Sequence, residues 1–120
     1  MDEAHLEGAN LSEANLTGTQ LSGANLSLTR LGGAKLSGTN LKRAYLNKAD
    51  LRMANLYRAD MSRADLRGAN LRGADLRGAN LSWLNLVDVA LDGAIMSDET
   101  NLDETILSAE QRKGIKRENN

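Results

Sequence analysis

The side chains with chemistry to offer are mainly cationic and lie mid-chain: Arg52, Arg58, Arg67, Arg72 and Arg77, with Tyr57 among them. Trp83 and Val87 follow as exposed-looking apolar residues at positions that are otherwise polar. Guanidinium groups beside aromatic rings recognise anions and flat surfaces, so this set is a candidate interaction surface, not a reaction centre. The partners a reaction centre needs are missing from the sequence. His5 stands without a second imidazole, there is no Cys, and no Ser–His–Asp grouping arises beyond chance. The run RGANLRGADLRG lacks the Gly-Lys-Ser/Thr ending of a phosphate loop. The chain therefore reads as non-enzymatic, with no metal, cofactor or small-molecule substrate.

Charge is segmented although the formal net charge is only −1. Residues 1–29 carry acids and no Lys or Arg, residues 30–77 are strongly basic, residues 78–111 are acidic without a base, and the tail is basic again. Two readings of the middle segment compete. It is a basic band for an acidic partner or a phosphate backbone. Alternatively, Asp50, Asp65 and Asp75, each two residues before an arginine, partly neutralise Arg52, Arg67 and Arg77, and exposed pairs of that kind contribute little stability. The second is preferred, and two tyrosines are too few for a base-stacking platform, which argues against a nucleic-acid partner.

The elements that must position these residues follow from a period of five. Leu recurs every fifth residue from Leu6 to Leu91, with Met61 and Met96 in the same phase (as is Met1), and a small residue, usually Ala, stands two positions before it. A helix advances about 100° per residue, so steps of five would scatter these leucines around it. A continuous strand would send successive leucines to opposite faces. A short extended piece, Ala–Asn–Leu, followed by a corner buries both Ala and Leu and exposes Asn. Gly at the second corner position, as in Gly68, Gly73 and Gly78, suits the positive φ of a type II turn. Where Arg43, Lys48, Met53, Arg58 and Arg63 take that slot, the turn geometry is expected to change. Repeated corners close the chain into stacked coils around a Leu/Ala column, an all-β solenoid.

The A(D/N)LxG phrase, running almost unbroken through about residues 4–98, resembles the pentapeptide-repeat family. The resemblance implies a right-handed quadrilateral β-helix with four repeats per coil. Residues twenty apart then share a wall, which places Arg52 under Arg72 and Tyr57 under Arg77. The expected organisation is a β-helix over 1–98 and a carboxy-terminal cap over 99–120.

Both ends depart from the phrase. The first coil has no covering helix or loop, so the amino terminus is expected to be a cut end or to meet a partner. Beyond Leu81 the inner slots enlarge to Leu84 and Val89, and Trp83, Val87 and Ile95 form a possible apolar patch, preferably covered by the returning tail. The phase slips by one at Ser97–Glu99, after which Thr100–Leu102 and Thr105–Leu107 look like degraded repeats or a loop. Ser108 and Gln111 fit a capping box, predicting a short lid helix at about 109–113, ended by Gly114, with a frayed end at Glu118–Asn120.

A uniform core beside a varied surface implies a structural or protein-interaction module, a rigid rod presenting outer side chains to a protein partner. The alternative implied by the resemblance is DNA mimicry against gyrase or topoisomerase, of the quinolone-resistance type. That needs a strongly acidic surface, which the basic middle denies. A homodimer through the Trp83 patch is compatible with the sequence. There is no apolar run long enough to cross a bilayer and no signal-peptide pattern, so a bacterial cytoplasmic setting is expected.

Overall fold

A computed structural model describes residues 2–118; Met1, Asn119 and Asn120 lie outside the described residues. At the corners, the Ala amide donates to the carbonyl of the Leu before it, as from Ala9 to Leu6 and from Ala54 to Leu51, both at 3.0 Å. The residue just before that Ala carries φ near +60° to +70° at almost every corner, the pattern of a type II turn. The expected change of geometry over Arg43–Arg63 does not occur. Arg43, Lys48, Met53, Arg58 and Arg63 hold φ of 58°, 60°, 61°, 57° and 60°. Each corner is clamped by the next coil, for example by the Arg43 amide donating to Ser62 O at 3.0 Å, so the L-residue accepts the left-handed conformation.

Parallel bridges join residues twenty apart: His5 to Asn25, Asn10 to Arg30, Asn15 to Lys35 and Gln20 to Asn40, and so on up the chain. Four repeats thus complete one coil, and the molecule has four walls. The first is centred on His5, Asn25, Tyr45, Asp65, Asn85 and Ile106. The second runs from Asn10 to Ala90, the third from Asn15 to Ile95, and the fourth from Gln20 to Asn101. After the slip the spacing becomes twenty-one, in the bridges Asn80–Asn101 and Asn85–Ile106. Residues 100–107 are therefore degraded repeats in register, and the coil continues past residue 98.

Leu21, Leu41, Leu51, Leu71 and their equivalents are essentially inaccessible, and the Ala column packs between them. Leu6, Leu11 and Leu16 of the first coil are only partly buried. Polar residues in inner slots are satisfied. The buried Thr29 hydroxyl donates to Leu26 O at 2.6 Å, Thr39 to Leu16 O at 2.9 Å, and Thr100 to Leu76 O at 2.8 Å. The outer Asn/Asp side chains act locally on the backbone. Their Oδ1 accepts the amide two residues on, as in Asn10 with Ser12, Asn55 with Tyr57 and Asn80 with Ser82.

The first wall is interrupted once. No backbone hydrogen bond joins residues 64–68 to residues 84–88, and no bridge links Asp65 to Asn85, whereas every other step up the walls is paired. Leu84 occupies the inner slot above Ala64. Leu84 is buried and Ala64 partly exposed, as expected where a large side chain wedges two coils apart.

The chain ends in β1 (Ile95–Met96), α1 (Ala109–Gly114) and β2 (Lys116–Arg117), the two strands pairing in parallel. Ser108 caps α1 and exchanges reciprocal bonds with Gln111, whose amide also reaches the carbonyls of Leu86 and Val89. Gly114 O accepts from Gly93 N–H at 3.2 Å, so α1 takes the place of a sixth repeat above the second wall. Three expectations change here. Gly114 is the last helical residue, and the chain leaves through extended Ile115, not a left-handed glycine. Glu118 is held by its amide to Met96 O at 2.8 Å and is not frayed. The tail pairs with Ile95 but leaves Trp83 and Val87 about half exposed, because it runs over the second and third walls while they flank the first.

Candidate interaction surface

The predicted surface residues are distributed over all four edges of the coil. Arg52 and Arg72 share the edge between the second and third walls, where the Met53 amide donates to Arg72 O. Tyr57, Arg58 and Arg77 cluster on the edge between the third and fourth walls. Both guanidinium groups lie over the Tyr57 ring, Arg58 at 5.3 Å and Arg77 at 5.6 Å from its centroid. Arg67 and Val87 lie on the edge between the first and second walls, and Trp83 on the edge between the fourth and first. The basic segment is thus a girdle and not a face.

Most of that girdle is neutralised internally. Arg52, Arg67 and Arg77 each grip the carboxylate two residues earlier through Nε at 2.9 Å and Nη2 at 2.7 Å, binding Asp50, Asp65 and Asp75. The backbone fixes this geometry, since the same Oδ1 also accepts the arginine's own amide. Those hydrogen bonds, chiefly from the side chain, hold the three carboxyl groups below the ordinary aspartate value and raise the arginines. Arg58 reaches Glu99, Arg72 reaches Asp92 and Lys42 reaches Asp60, each at 3.6 Å.

A different set of residues stands out. The column on the edge between the fourth and first walls reads Glu3, Gly23, Arg43, Arg63, Trp83 and Glu104, and every non-glycine in it has positive φ. Arg43 and Arg63 are one coil apart, and no described carboxylate lies within ion-pair distance of either. Arg63 lies over the Trp83 indole at 4.8 Å. Among the described residues, five of the six exposed large hydrophobic ones (Leu28, Tyr45, Trp83, Val87 and Ile106, 51–55% accessible) lie on or beside the first wall; Met53 is elsewhere. An open groove on that wall is lined by His5, Asn25, Arg43 and Tyr45, among others. Arg43 and Arg63, expected only as unusual corner residues, and Leu28 are not among the surface residues singled out from the sequence. Folding the sequence into blocks of twenty and grouping outer residues by wall is the signal that would have found them.

Among the described residues no cluster of three or more His, Asp or Glu could hold a metal ion, and no helix is long and apolar enough to cross a membrane. The interior is filled by the Leu column, and the concavities are open surface grooves.

The profile of pentapeptide repeats matches residues 1–27, 24–63 and 59–98, in 8 copies. Solved structures similar to this chain include a pentapeptide repeat protein from the Arabidopsis thaliana thylakoid lumen, with 34% identity and a TM-score of 0.72 over 75% of this chain and 62% of that one. Another is HetL, a pentapeptide repeat protein involved in heterocyst differentiation regulation in the cyanobacterium Nostoc sp. strain PCC 7120. It shows 34% identity and a TM-score of 0.61 over 88% of this chain and 56% of that one. The chain therefore spans about three-fifths of the length of these two proteins. QnrB1, a plasmid-mediated fluoroquinolone resistance protein, shares the fold at 20% identity and a TM-score of 0.51, covering 92% of this chain and 68% of that one. A comparison with curated proteins finds no match. The neighbours are right-handed quadrilateral β-helices, the architecture expected here.

Proposed function

The chain belongs to the pentapeptide-repeat family, and from that premise we propose that it is a non-enzymatic module that binds a protein partner through its outer side chains. The observation that carries this is the contrast between a core filled along its length and one wall that concentrates exposed apolar residues beside the stacked pair Arg43 and Arg63. A filled axis leaves no desolvated cleft in which catalytic groups could be tuned. An exposed apolar cluster rimmed by charge is the usual mark of a protein contact. DNA mimicry finds less support. Asp50, Asp65 and Asp75, which would have to imitate phosphates, are each covered by an arginine of the same wall or edge.

Two assays separate the readings. Affinity capture from the source organism with the intact chain is expected to retain a protein, and to lose it when exposed first-wall residues are changed. A gyrase supercoiling assay is expected to show no inhibition. Inhibition at stoichiometric protein, with nothing captured, would overturn the proposal in favour of mimicry.

A further inference from the structure

We propose that the first wall is the docking face and that its occupant is an extended acidic–apolar segment of a partner protein. The segment lies along the coil axis, with carboxylates on Arg43 and Arg63 and a large apolar side chain on Trp83. This rests on the interaction-module reading above and specifies its face and its ligand.

Three independent features meet on this wall. The first is the apolar bias, with Tyr45, Trp83, Val87 and Ile106 exposed on or beside it. The second is charge: Arg52, Arg67 and Arg77 are gripped by aspartates, whereas Arg43 and Arg63 stack one coil apart with no described carboxylate in ion-pair distance. They also occupy left-handed corners where the same fold uses Gly23. Two like charges and two strained backbones in adjacent coils are unfavourable for the isolated chain, and an external carboxylate between them relieves the repulsion. The third is the interrupted ladder between residues 64–68 and 84–88, which leaves the amides of Leu66 and Asn85 without a backbone acceptor beside the same column.

Spacing and charge choose the occupant. Coils stack about 4.8 Å apart, so Arg43 and Trp83, two coils apart, are separated by roughly three residues of extended chain. A segment with an acid followed two or three residues later by a bulky apolar residue spans them. A long polyanion fits poorly, because the column is closed by Glu3 below and Glu104 above, with Asp65 at the wall centre. The favourable stretch is short, as a peptide segment requires and a nucleic-acid backbone does not.

The test uses the full chain and a fluorescein-labelled decapeptide of alternating glutamate and leucine with one phenylalanine. Comparison probes are the same peptide with lysine for glutamate, the same with serine for the apolar residues, and a short DNA duplex. The acidic–apolar peptide is expected to bind best and to alter the emission of Trp83, the single tryptophan. Arg43→Gly with Arg63→Gly, and separately Trp83→Gly, should weaken binding by about tenfold or more, as for residues at the centre of a contact. Glycine suits the positive φ at all three positions, so the corners keep their conformation, and a melting curve recorded beside each binding curve separates lost binding from lost folding. Arg52→Ser with Arg72→Ser, on another edge, should bind as the parent does. Tighter binding of the duplex overturns the partner chemistry. Peptide binding sensitive to Arg52 and Arg72 but not to the first-wall variants overturns the wall while the interaction reading stands. Absence of any peptide binding overturns the proposal, and the capture experiment above then reports separately on whether the module reading survives.

Discussion

A non-glycine residue held at φ near +60° is the commonest local anomaly in this chain, and its cost is testable one side chain at a time. Left-handed backbone costs an L-residue roughly 1–2 kcal/mol, partly offset by the extra freedom glycine has when unfolded. Arg43→Gly is therefore expected to stabilise the fold by about 0.5–1 kcal/mol, read as a higher urea midpoint at unchanged slope. The reverse change is expected to be harmful at Gly73. Its φ is +70° and an added Cβ would run into the Met53 sulfur, so Gly73→Ala should lower the midpoint by more than Arg43→Gly raises it. The aspartates make a second residue-scale prediction. Asp75 is held below its ordinary value first by the Arg77 side-chain hydrogen bond, and Asp50 and Asp65 likewise by Arg52 and Arg67. The folded chain then binds fewer protons than the unfolded chain. The stabilisation is complete above the unfolded aspartate value of about 3.9 and is lost as pH falls through the lower folded values. Asp75→Asn should flatten the acid limb of a stability–pH curve below pH about 4 and leave neutral salt dependence almost unchanged.

At the scale of the wall and the helix, the ladder and the cap each have one weak point. The missing step between residues 64–68 and 84–88 coincides with Leu84 in a slot that holds Ala in the coils below. Leu84→Ala should let the step close and slow amide exchange at Leu66 and Asn85, even though removing a buried Leu lowers global stability by about 2–5 kcal/mol. Opposite signs in those two measurements would identify the wedge; faster exchange at both amides would refute it. In α1, Ser108→Ala removes the cap and should cost about 1 kcal/mol, confined to exchange in the helix and its Gln111 contacts. The cap was readable before the structure, because Ser108 and Gln111 stand at capping-box spacing and Arg112 and Lys113 follow at the basic end. The corner geometry at Arg43–Arg63 was not. Local propensity says that arginine avoids positive φ, and only the hydrogen bonds from the coils above and below override it. The Asn/Asp acceptor role was legible in principle, since each carboxamide stands two residues before a corner amide. Tyr45, by contrast, forgoes that bond on the proposed docking face.

For the molecule as a whole, the period of five was enough to foresee a stacked solenoid, and the degraded repeats at Thr100–Leu107 fell into register despite their spelling. What the sequence concealed was which outer residues meet, because that depends on the number of repeats per turn and on the slip near Ser97. The expected rod is in fact squat, 34 × 27 × 22 Å, since five coils rise scarcely further than one coil is wide. Nearest-neighbour stacking predicts that position along the axis governs cost. Leu51→Ala, in a sealed middle coil, should lose about 2–5 kcal/mol, and Leu11→Ala, already partly open to water, markedly less in the same denaturation experiment.

The twenty-residue turn also dictates how such a gene can change length. Excising twenty residues from the middle, for instance 44–63, returns every later side chain to its own wall and merely shortens the stack. Excising five between them, for instance 69–73, leaves the hydrophobic phase intact but swings everything downstream a quarter of the way around the axis, carrying Trp83 off the column that holds Arg63. Tandem duplication in whole turns thus lengthens a surface, whereas duplication of a single repeat rewrites it.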